Sequence, residues 1–429
     1  DASLDGIPLG GTWSSSFGPD ATGGSSVKGW VTISEATANQ LNLGLAPGTL
    51  GGTGRANISL DLPKGDTPRF NLTSNLAGVS VAIDSLGWAM SRSQTGKLAV
   101  SGSLGAPARI DSLSVSAPGL SASGSISLDP RGGLDRAKFD RVRLGGWLDA
   151  PVTLTGRGQG VPPRVAVTGG NIDLRKAKLG GNGKGGPISI ALDRLTISDT
   201  IALHGMRGDF TSSGGMKGQF NGRVNGKAPI SGTISPSNGK SAVRLTSDNA
   251  GAVLAAAGFL EKGREGTLNL TLNPTGAQGT YDGLLKVENI WLQDAPAMAT
   301  LLSALSVVGL LEQMSGNGIH FNGVEADFRL TPDQVILRKS NAVGASMGIA
   351  MDGYYNLAAK ALDMQGVISP IYALNGIGQI FTRKGEGLLG FNYRLTGQVA
   401  KPRVQVNPLS IFTPGMFRDI FRRPPPKTN

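Results

Sequence analysis

Few residue patterns in this sequence could perform chemistry. His204 and His320 are its two histidines, and they lie 116 residues apart in strand-like surroundings. A zinc site needs three or four closely spaced ligands, so both histidines are expected to be structural. The stretch Gly181–Gly185 (GNGKG) resembles part of a phosphate-binding loop. Gly185, however, stands where that loop needs Ser or Thr to reach Mg²⁺, so we predict a hairpin tip instead.

Other catalytic patterns are missing from the sequence. It contains no Gly-x-Ser-x-Gly elbow, and no pair of carboxylates stands out from solvated faces. Aromatic residues make up 5% of the chain, too few for the stacking platforms of nucleic-acid-binding proteins. We therefore predict a protein that is not an enzyme, with no catalytic residues, no metal, no cofactor and no nucleic-acid partner.

Composition indicates a folded chain with few residues that could take part in catalysis. Among 429 residues there are 65 glycines and no cysteine, and 39% of the residues are hydrophobic. The hydrophobic share is too high for general disorder, and the absence of cysteine excludes disulfides. Net charge is +11. Bases are concentrated near the C-terminus, where we predict contact with an anionic surface through four residues: Arg418, Arg422, Arg423 and Lys427.

Apolar residues alternate with polar ones along most of the first 245 residues, which is typical of half-buried strands. Turn signals such as Ser237-Asn238-Gly239 separate these runs every 8 to 15 residues or so. The pattern predicts consecutive antiparallel strands in a repetitive β region at 1–245.

Helical patterns are rare and lie toward the C-terminus, near 249–260, 296–314 and 371–381. We place them in a second region, 246–423, and predict a disordered, Pro-rich basic tail at 424–429. The apolar run inside 296–314 is shorter than the roughly 20 residues that cross a bilayer, so a helix that caps the sheet or touches a membrane is expected. Its candidate contacts are Leu301, Leu302, Leu305, Leu310 and Leu311.

A long sheet with one apolar face cannot leave that face in water. It can fold onto a second sheet, coil into a solenoid, or curl around an apolar guest, and the small size of many apolar residues favours the guest. The candidate lining residues are Val79, Val81, Ile83, Leu98, Val100, Ile126, Leu128, Ile188, Ile190, Leu192, Leu268, Leu270 and Leu272.

Four blocks of the C-terminal part resemble the conserved end of AsmA-like proteins, specifically the YhdP branch, with TamB more distantly related. The first two are DNAGAVLAAAGFLEKGREGTLNL (248–270) and LKVENIWLQDAPAMATLLSALSVVGLLEQMSGNGIHFNGVEADFRL (285–330). The third is DGYYNLAAKALDMQGVISPIYALNGIGQIF (352–381), and the last is GFNYRLTGQVAKPRVQVNPLSIFTPGMFRDIF (390–421). The motif positions are Asp352, Gly353, Pro370, Tyr372, Asn375, Asn407, Pro408, Ser410, Pro414 and Gly415.

The resemblance implies a bridge-like lipid transfer protein of Gram-negative bacteria. Its expected fold is mainly β, a long curled antiparallel sheet forming a gutter with a few short helices toward the C-terminus. Phospholipid acyl chains would lie in the gutter, in the periplasm. The resemblance also implies an inner-membrane anchor upstream and contact with the outer membrane or its proteins near the C-terminus. Composition alone leaves an alternative open, a secreted or surface β-solenoid of the adhesin type.

Overall fold

The structure of the protein is a computed structural model. It describes residues 2–4, 7–15, 23–40, 45, 47–131, 133–177, 185–212, 215–260, 262–277, 279–293, 295–305, 308–370, 390–412, 423–424 and 426. Contacts divide the chain into two compact units, residues 1–214 (unit 1) and 215–429 (unit 2). This division falls earlier than the boundary at 245 that the sequence suggests.

Unit 1 consists almost entirely of strands. They are β1 (Ala2–Leu4), β2 (Ile7–Ser15), β3 (Ser25–Ile33), β4 (Leu50–Gly52), β5 (Gly54–Leu62), β6 (Arg69–Ser74), β7 (Val79–Ile83), β8 (Trp88–Met90), β9 (Lys97–Ser103), β10 (Arg109–Ala117), β11 (Leu120–Leu128), β12 (Leu134–Leu144), β13 (Leu148–Thr155), β14 (Arg164–Thr168), β15 (Asn171–Asp173), β16 (Pro187–Thr196) and β17 (Ala202–Thr211).

Nearly every strand of unit 1 pairs with its neighbour in the chain. The main sheet runs β1-β2-β3-β5-β6-β9-β10-β11-β12-β13 in antiparallel order. Strands β14 and β15 then lie end to end between β13 and β16, and β17 follows β16. A separate small sheet, β4-β7-β8, is inserted between these elements.

Unit 2 combines a second run of strands with short helices. The strands are β18 (Lys217–Val224), β19 (Ala228–Ser237), β20 (Lys240–Ser247), β21 (Lys262–Arg264), β22 (Thr267–Pro274), β23 (Tyr281–Gln293), β24 (Ile319–Leu330), β25 (Gln334–Val343), β26 (Met347–Asn356), β27 (Ala361–Pro370), β28 (Phe391–Gln398) and β29 (Arg403–Asn407). Successive strands pair antiparallel, with β21 and β22 both lying beside β23.

The described helices are α1 (Glu35–Gln40), α2 (Ala250–Ala256), α3 (Pro296–Ala304) and α4 (Val308–Ser315), and 3₁₀ turns span Asp84–Leu86 and Pro408–Phe412. The predicted helix at 249–260 is thus shorter than expected. Its start is fixed by Asn249, whose side chain accepts a hydrogen bond from the Ala252 N–H at 2.9 Å. The predicted helix at 296–314 is two helices, and the one at 371–381 lies outside the described residues.

The predicted fold class, a mainly β chain with a long curled sheet, is confirmed. The prediction that the sheet is antiparallel throughout is wrong at one place, because β14 and β15 run parallel to β16. Strands β15 and β16 therefore do not form a hairpin with each other, since a hairpin joins antiparallel strands. The predicted hairpin tip at 181–185 falls mostly on residues that the structure does not describe. Residues 178–184 of that connection lie outside the described part of the chain.

Candidate functional site

On one face of the unit 1 sheet, apolar side chains follow one another from strand to strand, with a glycine in the row at β11. Directly opposed pairs link these residues across the sheet, as in Leu72 with Val100 and Val100 with Leu113. We call this the inner face. Opposed residues share a face, so one such row reads Ile58, Leu72, Val100, Leu113, Gly124, Phe139, Val152, Val167 and Ile190.

Two β-bulges keep the apolar residues on the inner face. Ile110 and Leu113 of β10 are three residues apart, whereas the residues opposite them on β11, Ile126 and Gly124, are two apart. In β12 the same happens between Phe139 and Val142 opposite β13. Each bulge places two consecutive polar residues outside and returns the next apolar residue to the inner face.

The inner face of unit 1 is only partly shielded. Leu72, Val100, Leu113, Phe139 and Val152 are all half-buried rather than buried. A second sheet packed about 10 Å away would bury such side chains fully, as in a sandwich core. The exposure of these residues therefore excludes a covering sheet over this part of the face.

The two long edges of the unit 1 sheet differ in burial. At the edge where β12 ends and β13 starts, Leu144, Leu148, Leu195 and Leu203 are at most 9% exposed. We call this edge the closed rim. The opposite edge, where β5 ends and β6 starts, holds half-buried residues such as Phe70, and we call it the open rim.

The small sheet β4-β7-β8 contributes to the closed rim. Val79 is 1% exposed and lies against Gly54, where a Cβ would overlap its side chain. The Trp88 indole is buried beside Gly119 and donates a hydrogen bond to the Pro118 carbonyl at 2.9 Å. Large apolar side chains thus fill this edge.

Unit 2 repeats the arrangement over β18 to β24. Phe220, Gly232, Leu245, Leu270, Leu285 and Ala326 form one directly opposed inner-face row. Aromatic rings cover glycines on the opposed strand, as where Phe328 lies over Gly283. The closed rim of unit 2 contains Ala228, Leu268, Val287 and Ile319, each at most 5% exposed.

The last strands of unit 2 are covered on both faces. On the inner face Met364 and Ile368 are buried, and on the outer face so are Asp352, Gln365 and Val367. Helix α3 packs against β29 and against α4, while α4 packs against β23 and β24, so the helix pair connects strands far apart in the sheet order. The partly exposed inner face is therefore confined to the earlier strands.

The outer face carries ion pairs instead of apolar rows. Hydrogen bonds from Arg175 lower the pKa of Asp173 to about 2. Likewise, the Arg329 guanidinium, 3.0 Å from Asp282, lowers the pKa of that carboxyl. Both carboxylates are permanently charged at neutral pH, which keeps the outer face polar.

Most sequence-predicted lining residues lie on the inner face. Leu98, Val100, Ile126, Leu128, Ile188, Ile190, Leu192, Leu268, Leu270 and Leu272 occupy directly opposed inner-face positions. Leu192 and Leu268 are buried, at 2% and 5% exposure. Val79, Val81 and Ile83 instead belong to the small sheet, in β7.

The predicted capping residues lie in the helix pair. Leu301 and Leu302 of α3 are buried, whereas Leu305, Leu310 and Leu311 are half-buried.

Several motif positions hold the last strands together. Asp352 accepts a hydrogen bond from the Gln365 amide at 2.9 Å, and Gly353 adopts φ +143° against Met364. Asn407 caps the 3₁₀ turn that starts at Pro408 by accepting from the Leu409 N–H at 3.1 Å.

Ser410 anchors the same turn from inside. Its buried hydroxyl donates to the Asn407 carbonyl at 2.6 Å and accepts from the Asn392 N–H at 2.8 Å. Pro370 ends β27. The other motif positions, Tyr372, Asn375, Pro414 and Gly415, lie outside the described residues.

Arg423 is engaged within the chain. Its guanidinium pairs with Asp363 at 2.9 and 3.1 Å, and its backbone exchanges two hydrogen bonds with the Gln365 side chain, both 2.9 Å. The neighbouring tail bases Arg418, Arg422 and Lys427 lie outside the described residues.

Sequence reasoning missed the residues of the rims. Trp88 and Trp147 are both 8% exposed at the closed rim of unit 1, yet neither lies in an alternating run. Phe139 was missed because the bulge breaks the alternation of β12. Only the strand register reveals these positions.

No protein-family model, curated protein or solved structure matches this chain. Within the described residues no three metal-ligating side chains come together. A helix long and apolar enough to cross a membrane is likewise missing from that part of the chain.

Proposed function

We propose that this protein carries phospholipid along the inner face of its sheet, between the inner and outer membranes of a Gram-negative envelope. The observation that carries the proposal is the inner-face row from Ile58 to Ile190 in unit 1, which is apolar apart from Gly124 and mostly half-buried. Contiguous apolar surface that a chain leaves uncovered marks a binding surface or an aggregation hazard. Acyl chains fit such a surface because they need no polar partner.

Burial of acyl chains supplies the binding energy in this mechanism. At about 25 cal/mol per Å², covering a few hundred Å² of apolar surface stabilises a bound lipid by several kcal/mol. Successive strands present similar Leu, Val and Ile side chains, so neighbouring positions have similar binding energies. A lipid can then move along the rows without meeting a deep trap.

The difference between the rims supports a defined orientation of the lipid. Acyl chains point toward the closed rim, where Leu144, Leu148 and Leu195 exclude water. The head group remains at the open rim, because burying a charged group away from water is costly.

Localisation and partners belong to the same proposal. The likeness of the C-terminal blocks to AsmA-like, YhdP-type proteins supports a periplasmic site of action for the sheet. An inner-membrane anchor upstream and an outer-membrane contact near the C-terminus would complete the path.

The inner-face mechanism predicts that paired aspartates there stop transfer. Val100→Asp with Leu113→Asp places two charges at an opposed, half-buried pair. Lipid transfer between vesicles should fall at least about tenfold, since each acyl chain would have to pass a hydrated carboxylate.

The matched control is Ala99→Asp with Ser114→Asp, an opposed and exposed pair on the outer face of the same strands. Circular dichroism and urea unfolding establish that both variants remain folded. Equal transfer by the two double variants would refute the mechanism.

Mass spectrometry of the purified chain separates a carrier from a structural β-solenoid. A carrier should retain near-stoichiometric phospholipid that organic solvent extracts. A protein free of lipid after expression in a Gram-negative host would favour the structural class.

A further inference from the structure

Basic residues mark the starts of strands at the open rim. In unit 1, β6, β10 and β14 begin there with Arg69, Arg109 and Arg164. Each is exposed and precedes an apolar inner-face residue by one position. All three occupy outer-face positions at the strand ends, and the long, flexible side chain of arginine can extend from there to the edge of the sheet.

Unit 2 has the same arrangement. There β18, β20 and β29 begin at the open rim with Lys217, Lys240 and Arg403. Lys240 differs because its ammonium donates to three carbonyls, those of residues 275–277. The other two are exposed.

At the open rim the ends of the described strands carry bases but no acids. None of the described strands has Asp or Glu as its terminal residue at the open rim. At the closed rim the terminal charged residues of the described strands are Lys97, Lys262, Arg264 and the acid Asp173. Positive charge at the strand ends is thus concentrated on the edge where the inner face is exposed.

Local ion pairs leave these arginines accessible. Arg69 is 3.8 Å from Asp66, with both side chains more than 60% exposed. Arg109 pairs with Asp111 at 2.6 Å, again at an exposed position. Exposed pairs of this kind contribute little and exchange readily with another anion.

We propose that the open rim binds the phosphate of an amphiphile with a net negative head group, with Arg69, Arg109 and Arg164 as its contacts in unit 1. This inference rests on the proposed function and specifies its ligand class. Guanidinium groups match phosphate oxygens in charge and in hydrogen-bond geometry. The apolar inner face lies one residue away, so a single molecule can occupy both.

The test compares two lipids with identical acyl chains. The full chain is titrated with acyl-labelled phosphatidylglycerol or phosphatidylcholine at low salt. Wild type should bind the anionic lipid more tightly, and salt raised from about 0.05 to about 0.5 M should reduce the difference. The triple variant R69Q/R109Q/R164Q should lose about tenfold in affinity for phosphatidylglycerol and little for phosphatidylcholine.

A second triple variant provides the control. K97Q/R143Q/R194Q removes the same charge from exposed positions near the closed rim and should keep the preference. Equal losses in the two triple variants would show a net-charge effect and overturn the proposal. Displacement of the lipid by soluble glycerol 3-phosphate would overturn it too, since an isolated anion site needs no inner face.

The two levels of the proposal fail differently. Wild type that binds both lipids with equal affinity overturns the rim inference and leaves lipid carriage standing. Wild type that binds neither lipid overturns lipid carriage itself.

Discussion

Glycine has a packing role where the Phe328 ring lies across the unit 2 sheet. Gly283 stands directly opposite Phe328, and a Cβ at Gly283 would overlap the ring. The absence of a side chain lets the aromatic ring lie flat against the neighbouring strand. This pairing of glycine with an aromatic residue fixes register as well as filling space.

We predict that Gly283→Ala lowers the free energy of unfolding by about 1 kcal/mol or more, because the ring must move. Gly323→Ala is the control, since no atom lies within 4 Å of a Cβ there. That change should be neutral or slightly stabilising, because alanine restricts the unfolded chain. Urea unfolding measures both, and equal losses would contradict the packing role.

At the scale of single elements, the bulges determine which residues share a face. Ser112 is paired with Ser101 on β9 but has no opposed partner on β11, so β10 carries one extra residue at this point. Without this residue Ile110 and Leu113 would still lie two apart on one face. Loss of two residues would move part of the strand to the opposite face.

Deletion of Ser112 alone should therefore be tolerated, with a loss of about 1 kcal/mol or less in unfolding free energy. Deletion of Asp111 together with Ser112 should cost several-fold more, because either Ile110 or the residues from Leu113 onward must face water. Denaturant midpoints and binding of a hydrophobic dye measure the difference. A single deletion as damaging as the double one would contradict this account.

Strands were predictable from alternation, but their partners were not. Leu98 and Val100 alternate in the same way as Val79 and Val81, yet the first pair lies in the main sheet and the second in the small one. Period-two alternation specifies the apolar face of a strand, whereas its partner depends on contacts distant in sequence.

Some candidate-site features depend on the whole register. The inner-face rows can be identified only when the register between every pair of neighbouring strands is known. The bases can be assigned to a rim only when the direction of each strand is known. The parallel pairing of β14 with β16 has no signal in composition or turn residues.

At the scale of the whole molecule, the end of the chain is held to strand β27. Asp363 forms two hydrogen bonds with the Arg423 guanidinium, which lower the pKa of this carboxyl. Gln365 engages the Arg423 backbone through both atoms of its amide. These contacts join Arg423 to two residues that lie 58 and 60 positions earlier in the chain.

This contact should weaken in acid. Because the pKa of Asp363 is lower in the folded state than in the unfolded state, the folded protein binds fewer protons there. The stabilisation is complete above the unfolded pKa and is lost as pH falls through the lowered folded value. Urea midpoints of wild type and Asp363→Asn should differ at neutral pH and converge in acid.

Hydrogen exchange at the Arg423 amide gives a local measure. Asp363→Asn should speed exchange by about tenfold at neutral pH, since the opening equilibrium shifts. Arg394→Gln is the control, because Arg394 reaches Asp363 only at 3.5 Å. A faster Arg423 amide in the control alone would contradict the assignment.

The parallel step between β15 and β16 limits how such a sheet can change in length. Removing or adding an antiparallel hairpin leaves every later strand pointing in its original direction, so arginines stay beside the exposed edge. A single strand inserted into the main ladder would reverse all later strands of the same unit and carry their leading bases to the closed rim. A crossover like this one absorbs an odd strand, and so does placing a strand outside the main ladder, as with β4 and β21. Where neither occurs, natural length variants should differ by pairs of strands.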